Sequence, residues 1–140
     1  NDPRFGGTHL PDLTLTTPVY AAGSRRLIGF VASRAHHADI GGLSPGSLPL
    51  STELFHEGLI LPPVRLVEGG KVRSDIVDLV CANSRTPQER RGDVAAQVAA
   101  NQTGAHRLQA LVQENGQLKG WYAELALGYA AMKDGVSLTL

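Results

Sequence analysis

From Leu13 the chain alternates, with Leu13, Leu15 and Val19 set against Thr14 and Thr16, the period of two that marks a strand with one buried face. The next apolar run, LIGFVASRA from Leu27, is apolar on both faces and predicts a more buried strand. Between them AAGSRR offers Gly23 and Ser24 for a turn, so the chain to about residue 40 predicts a β-hairpin. The rhythm is lost from roughly residue 41 to 72, where GGLSPGSLP and EGLILPPVRLVEGG concentrate glycine and proline. Pro45, Pro49, Pro62 and Pro63 exclude long regular elements there. This stretch predicts loops with one short strand at VRLV, and long loops inside a compact unit are more often binding surfaces than plain connectors.

From about residue 73 the pattern turns helical. SDIVDLVCAN predicts one helix. A second is announced by Thr86 as N-cap, Pro87 at the first helical position and Glu89 three residues after the cap. Val94, Val98, Ala105, Leu108 and Val112 recur at helical spacing, and Asn115–Gly116 supplies a stop. A last helix, QLKGWYAELALGYAAMKDG, aligns Trp121, Leu125, Tyr129 and Met132. The expected fold is α+β: an N-terminal β-hairpin with Gly/Pro-rich loops (1–72) packed on a C-terminal group of two to three helices (73–140), as one domain or part of one.

Composition narrows the function. With 13 Lys plus Arg against 13 Asp plus Glu in 140 residues, there is no positive excess to attract nucleic acid or an anionic membrane. No apolar run approaches the roughly 18 residues of a membrane span, and the expected setting is cytoplasmic. Cys81, the one cysteine, excludes an internal disulfide and a cysteine-based zinc site. It sits in an apolar helical pattern, where a small buried thiol is the plain reading. The opening NDPRFGGTHLPD starts in mid-motif and suggests a piece of a longer subunit.

The hairpin gives chemistry to two loops. A turn centred near Gly23 sets Asp12 roughly opposite residue 34, with His36 and His37 a residue or two beyond. Pro11 favours a turn that swings Asp12 towards His9. Two imidazoles and a carboxylate, with positions left open, suit a catalytic divalent metal such as Mn, Fe or Zn. In a strand His36 and His37 face opposite ways, so one of them binds and spacing does not say which. Asp2 and Asp39 are possible further ligands or partners that fix a tautomer. Gly6, Gly7, Gly41 and Gly42 allow close backbone approach. Taken singly, His9 is more often a loop histidine and HHAD a surface turn. Asp39 and Glu57 are the candidate general bases, and Arg34 is a candidate fork for a carboxylate or phosphate. The plain readings beside these are a solvated loop acid for Glu57 and a salt bridge for Arg34. Arg90, Arg91, Asp93, Gln97 and Asn101 lie near one another at helical spacings that could line a pocket or a subunit contact, and a solvated face is the default reading of that group.

NDPRFGGTHLPDLTLTTPV, FVASRAHHADIGGLSPGSLP, EGLILPPVRLV and TPQERRGDVAAQVAANQTGAHRL, in that order over about residues 1 to 115, resemble the hydantoinase B/oxoprolinase family. Its members are the B subunits of ATP-dependent N-methylhydantoinases and 5-oxoprolinases, and it is related to acetone and acetophenone carboxylase large subunits. The resemblance implies ATP-dependent hydrolytic opening of a five-membered cyclic amide, with an A subunit handling ATP in a hetero-oligomer and this chain belonging to the hydrolase subunit. It also implies a divalent metal held by a histidine, an aspartate three residues later and a downstream histidine, which fall on His9, Asp12 and one of His36 or His37. A ketone carboxylase subunit and a non-catalytic assembly segment are the alternatives. No GKS or GKT ending follows any glycine-rich stretch, which directs ATP to the partner.

Overall fold

The computed structural model describes residues 1–136, with side-chain surroundings through residue 127. A short 3-10 turn at Pro3–Phe5 leads into strand β1 (Asp12–Tyr20), which pairs antiparallel with β2 (Leu27–His36). Burial alternates along both strands, with Leu13, Leu15, Thr17 and Val19 of β1 and Gly29, Val31, Ser33 and Ala35 of β2 on the inner face. The turn is closed by Ala21 N–H to the Arg26 carbonyl at 2.9 Å and Ser24 N–H to the Ala21 carbonyl at 3.0 Å, with Gly23 at φ +65°. The register falls two residues from the expected one, placing Asp12 opposite His36, and an irregularity lies between Val19 and Tyr20.

Loops occupy residues 41 to 66, interrupted by a 3-10 turn at Leu54–His56. The short strand expected at VRLV survives only in its last residue, in a small hairpin of β3 (Val67–Glu68) and β4 (Lys71–Val72) around Gly69 and Gly70. Helix α1 (Ser74–Ala82) and helix α2 (Pro87–Val136) follow. The helix starts at Pro87 as expected, yet the Thr86 hydroxyl is buried without a hydrogen-bond partner, so the side-chain half of the cap does not form. Thr86 N–H instead donates to Ser84 Oγ at 3.1 Å.

The inner face of the hairpin lies on α2. A Cβ built on Gly104 would stand 2.7 Å from Val31 Cγ1, so glycine sets how closely helix and strand approach. The apolar core is small, Val77, Cys81 and Val94 with Leu66 against them. Around it Arg90, Gln97 and Asn101 are buried as well, against the solvated face expected for that stretch. Asn101 Nδ2 donates to the Leu15 carbonyl at 2.9 Å and to Thr17 Oγ1 at 3.0 Å.

Asp39 ties the loops to the helices. Its carboxylate accepts from Arg85 N–H at 2.6 Å, Gly41 N–H at 3.0 Å and the Arg85 guanidinium at 2.8 Å, while Arg85 also donates to the Gly42 carbonyl at 2.8 Å. Gly41, at φ +88°, runs so close to Asn83 that a Cβ would overlap its carbonyl oxygen at 2.2 Å. Desolvation is the largest influence on Asp39 and pushes its pKa up, but the two amides and the guanidinium together outweigh it and hold the group below its usual range.

The expected third helix does not exist as a separate element, because α2 runs unbroken through Asn115 and Gly116. Glycine in a helix interior costs only about 1 kcal/mol relative to alanine, and no proline follows to end the helix. Of the stripe assigned to that third helix, Trp121 and Leu125 are exposed, while the surroundings of Tyr129 and Met132 lie outside the described residues.

Two tests follow from this architecture. Gly116→Ala should raise helicity by circular dichroism and slow amide exchange around residue 116, by a local gain of roughly 0.5–1 kcal/mol; loss of helicity would mean that Gly116 ends a helix. Asp39→Asn should cost about 2–3 kcal/mol in denaturant melts. Because the folded pKa of Asp39 is depressed, its contribution is present above the unfolded value of about 3.9 and is lost as pH falls through the folded value. The gap between wild type and Asp39→Asn should therefore close in acid.

Candidate metal centre

The site is assembled at the last rung of the hairpin. Asp12 N–H donates to the His9 carbonyl at 3.0 Å, closing a turn over His9–Asp12. Leu10, 1% exposed, is the apolar pin of that turn, and Asn1 Nδ2 holds its carbonyl at 2.6 Å. Immediately afterwards β1 begins, and its pairing sets Asp12 beside His36. Asp12 Oδ1 and His36 Nδ1 are 2.9 Å apart. The His9 and His36 rings stack, with centroids 5.3 Å apart and planes at 14°, and His9 Nε2 lies 3.3 Å from Ser47 Oγ. One donor atom from each of His9, Asp12 and His36 lies within 4.8 Å of the others.

This donor set fits a divalent ion. Metal–ligand bonds of about 2.0–2.2 Å place two ligands on one ion no more than roughly 4.4 Å apart, close to the 4.8 Å within which these donor atoms already lie. Two imidazole nitrogens and one carboxylate leave positions open for water or substrate, and nitrogen and oxygen donors suit Mn, Fe or Zn alike. His9 and Asp12 are half-buried and His36 is exposed, so the cluster is accessible from solvent.

The remaining candidates lie elsewhere. His37 is 0% exposed and turned to the other side of the hairpin, where its Nε2 meets Gln97 Oε1 of α2 at 3.1 Å. Desolvation is the chief influence on its ring and lowers its pKa, with Arg90 and His36 acting the same way and the Gln97 bond and Asp93 opposing. Asp2 is buried at the head of the first 3-10 turn, where its carboxylate takes Arg4 N–H at 2.9 Å and the Arg4 guanidinium at 3.0 and 2.7 Å. The Arg4 bond, the largest influence, keeps its pKa low. Asp39 is committed to the Arg85 contacts described above. Glu57 closes the second 3-10 turn through its backbone, and its carboxylate forms no hydrogen bond to any described residue.

Arg34 is opposite Thr14 and on the same face as Asp12 and His36. Its Nε donates to Thr14 Oγ1 at 3.0 Å, leaving the two terminal nitrogens without a partner among the described residues. Thr14 and Arg34, with Gly7, Leu61 and Val80 among others, line a cavity of about 400 Å³ that His9, Asp12 and His36 do not line. Ser47, against the His9 ring, and Arg85, which occupies Asp39, had no signal in the sequence. Gln97 lies between Val94 and Val98 in the sequence, but with Arg90 and Asn101 beside it the stretch reads as polar, and its burial follows from the Leu13 carbonyl that it meets.

Known proteins resemble this chain over most of its length. The family model for hydantoinase B/oxoprolinase matches residues 1–122. A 5-oxoprolinase of Dictyostelium discoideum is 42% identical over 83% of this chain and 9% of its own length. The caprolactamase subunit beta of Pseudomonas jessenii is 34% identical over 89% of this chain and 22% of its own. The crystal structure of the ATP-dependent caprolactamase of P. jessenii superposes with a TM-score of 0.71 at 33% identity, again over 89% of this chain and 22% of that one. This chain thus spans about a fifth or less of those proteins, and it belongs to the hydantoinase B/oxoprolinase family.

Proposed function

We propose that this chain is the metal-bearing part of a hydrolase subunit that opens a five-membered cyclic amide, 5-oxoproline or a hydantoin, at the expense of ATP. The observation that carries the reading is the meeting of His9, Asp12 and His36 at one end of the hairpin. Relatives named 5-oxoprolinase and ATP-dependent caprolactamase support cyclic amides as the substrate class. The ring size and the assembly with an ATP-handling A subunit are part of the proposal.

In this reading His9, Asp12 and His36 hold a divalent ion. A bound ion of this kind supplies Lewis-acid polarisation of an amide carbonyl, or lowers the pKa of a water towards 7. The chain's own residues do the rest. Ser47 steadies the His9 ring through Nε2. Thr14 holds the Arg34 fork by Nε, so its free edge is presented to a carboxylate or phosphoryl group of the substrate in the adjoining cavity. Asp39, kept ionised by its amides and Arg85, is a poor proton acceptor. Of the two acids considered as bases, Glu57 keeps an uncommitted carboxylate and is the one we retain.

Purified wild-type protein should take up close to one equivalent of Mn or Zn. His9→Ala, Asp12→Ala and His36→Ala should each lose it, and activity in the complete enzyme with ATP should fall by more than about 100-fold, beyond the 10–100-fold usual for residues that only support a ligand. Unchanged metal content in the His9 and Asp12 variants would leave the chain as an assembly segment, and turnover that needs bicarbonate would reassign it to ketone carboxylation. Arg34→Gln should raise KM for 5-oxoproline about 10–100-fold, the worth of a charged hydrogen bond, and barely change it for the neutral lactam 2-pyrrolidinone. Equal effects on both substrates would remove Arg34 from substrate recognition.

A further inference from the structure

The ligand-bearing residues sit where a β-ladder is weakest. Asp12 is the first residue of β1 and His36 the last of β2, and terminal rungs open most readily. What closes this rung from behind is one side chain of α2. Gln97 Nε2 donates to the carbonyl of Leu13 at 2.9 Å, and Gln97 Oε1 faces Nε2 of His37 at 3.1 Å. Leu13 follows Asp12 and His37 follows His36, so a single amide grips both arms one residue past the acid and one residue past the imidazole. The grip is directional: only the amide NH₂ can serve a carbonyl, which leaves the amide oxygen to accept from the His37 ring and fixes the proton on His37 Nε2. Gln97 is 7% exposed and His37 0%, so neither contact is easily replaced by water. The backbone N–H of His37 adds a bond to the Pro11 carbonyl at 2.8 Å.

We propose that Gln97 is a positioning residue for the His9–Asp12–His36 cluster, setting the separation of the two arms and hence the geometry of the donor atoms. The inference rests on the metal-centre reading for its purpose, and on the Gln97 contacts alone for its mechanics. Asn101 provides the natural control. One helical turn along, it is buried and makes the same kind of bonds to β1, at Leu15 and Thr17, but it touches neither neighbour of the cluster. A purely structural role would make the two positions equivalent.

The near-isosteric Gln97→Met and Asn101→Leu substitutions separate the alternatives. Both should lower the melting temperature. Only Gln97→Met should weaken Co(II) binding, by about 10–100-fold, as for other residues that orient a ligand, and shift the visible Co(II) spectrum. In metal-free protein, NOEs between the stacked His9 and His36 rings should persist in Asn101→Leu and vanish in Gln97→Met. Equal loss of Co(II) affinity in the two variants, or ring NOEs kept in both, overturns the proposal. If wild type takes up no ion, the catalytic reading fails, and the NOE comparison still decides whether Gln97 sets the arms. Should Gln97→Met not fold, Gln97→Glu keeps the acceptor for His37 and loses the donor to Leu13; retained ring NOEs with unchanged Co(II) binding would then count against the strap.

Discussion

The pairing of Asp12 with His36 is the constraint on which the rest of this structure turns. Side chains along a strand alternate with a period of two, so slipping β2 by one residue would carry its whole inner set outward. Such a slip would bring His37 to the position of His36 and expose Val31 and Ser33. The register is held because the inner face has only one good way to sit on α2. Gly104 lets Val31 approach so closely that a Cβ at 104 would stand 2.7 Å from Val31 Cγ1, and Val19, 2% exposed, anchors the far end of β1.

Much of what fastens the helix to the hairpin is polar. Asn101 and Gln97 hydrogen-bond the carbonyls of Leu15 and Leu13, and the buried Arg90 guanidinium donates to the Asp39 carbonyl just beyond the hairpin at 3.4 Å. Buried amides of this kind add little net stability, each about 1 kcal/mol, but they tolerate far less displacement than apolar contacts. The arrangement favours definition over strength. The apolar core beside these bonds, Val77, Cys81 and Val94, is small.

The hairpin, the loop region and the start of α2 were legible because each has a local cause: alternation, glycine with proline, and the Thr86–Pro87 junction. The meeting of His9 and Asp12 with a histidine of the HHAD stretch was legible for the same reason, since a hairpin's register follows from its turn. The choice of His36 was not. It depends on a two-residue difference in register, and counting from an assumed turn centre does not resolve that. The continuity of α2 through Gly116 escaped because glycine weakens a helix without ending it. Asp39 looked like an available acid because the partner that occupies it, Arg85, comes from 46 residues away, a separation that local patterns do not encode. The burial of Arg90, Gln97 and Asn101 escaped for a related reason: polar residues read as solvated until the backbone carbonyls that satisfy them are in view.

Adjacent histidines with opposite fates express how the strand divides its work. His36 faces outward beside Asp12, and His37 faces α2, where burial lowers its pKa and Arg90 opposes its protonation as well. A neutral His37 accommodates Gln97 as a hydrogen-bond donor and adds no positive charge behind a cluster whose three donors favour a cation. An ionised His37 would keep its bond to Gln97 but would place a positive charge beside Arg90 and behind the cluster. Strand alternation therefore turns His37 into the helix packing and leaves His36 alone beside Asp12.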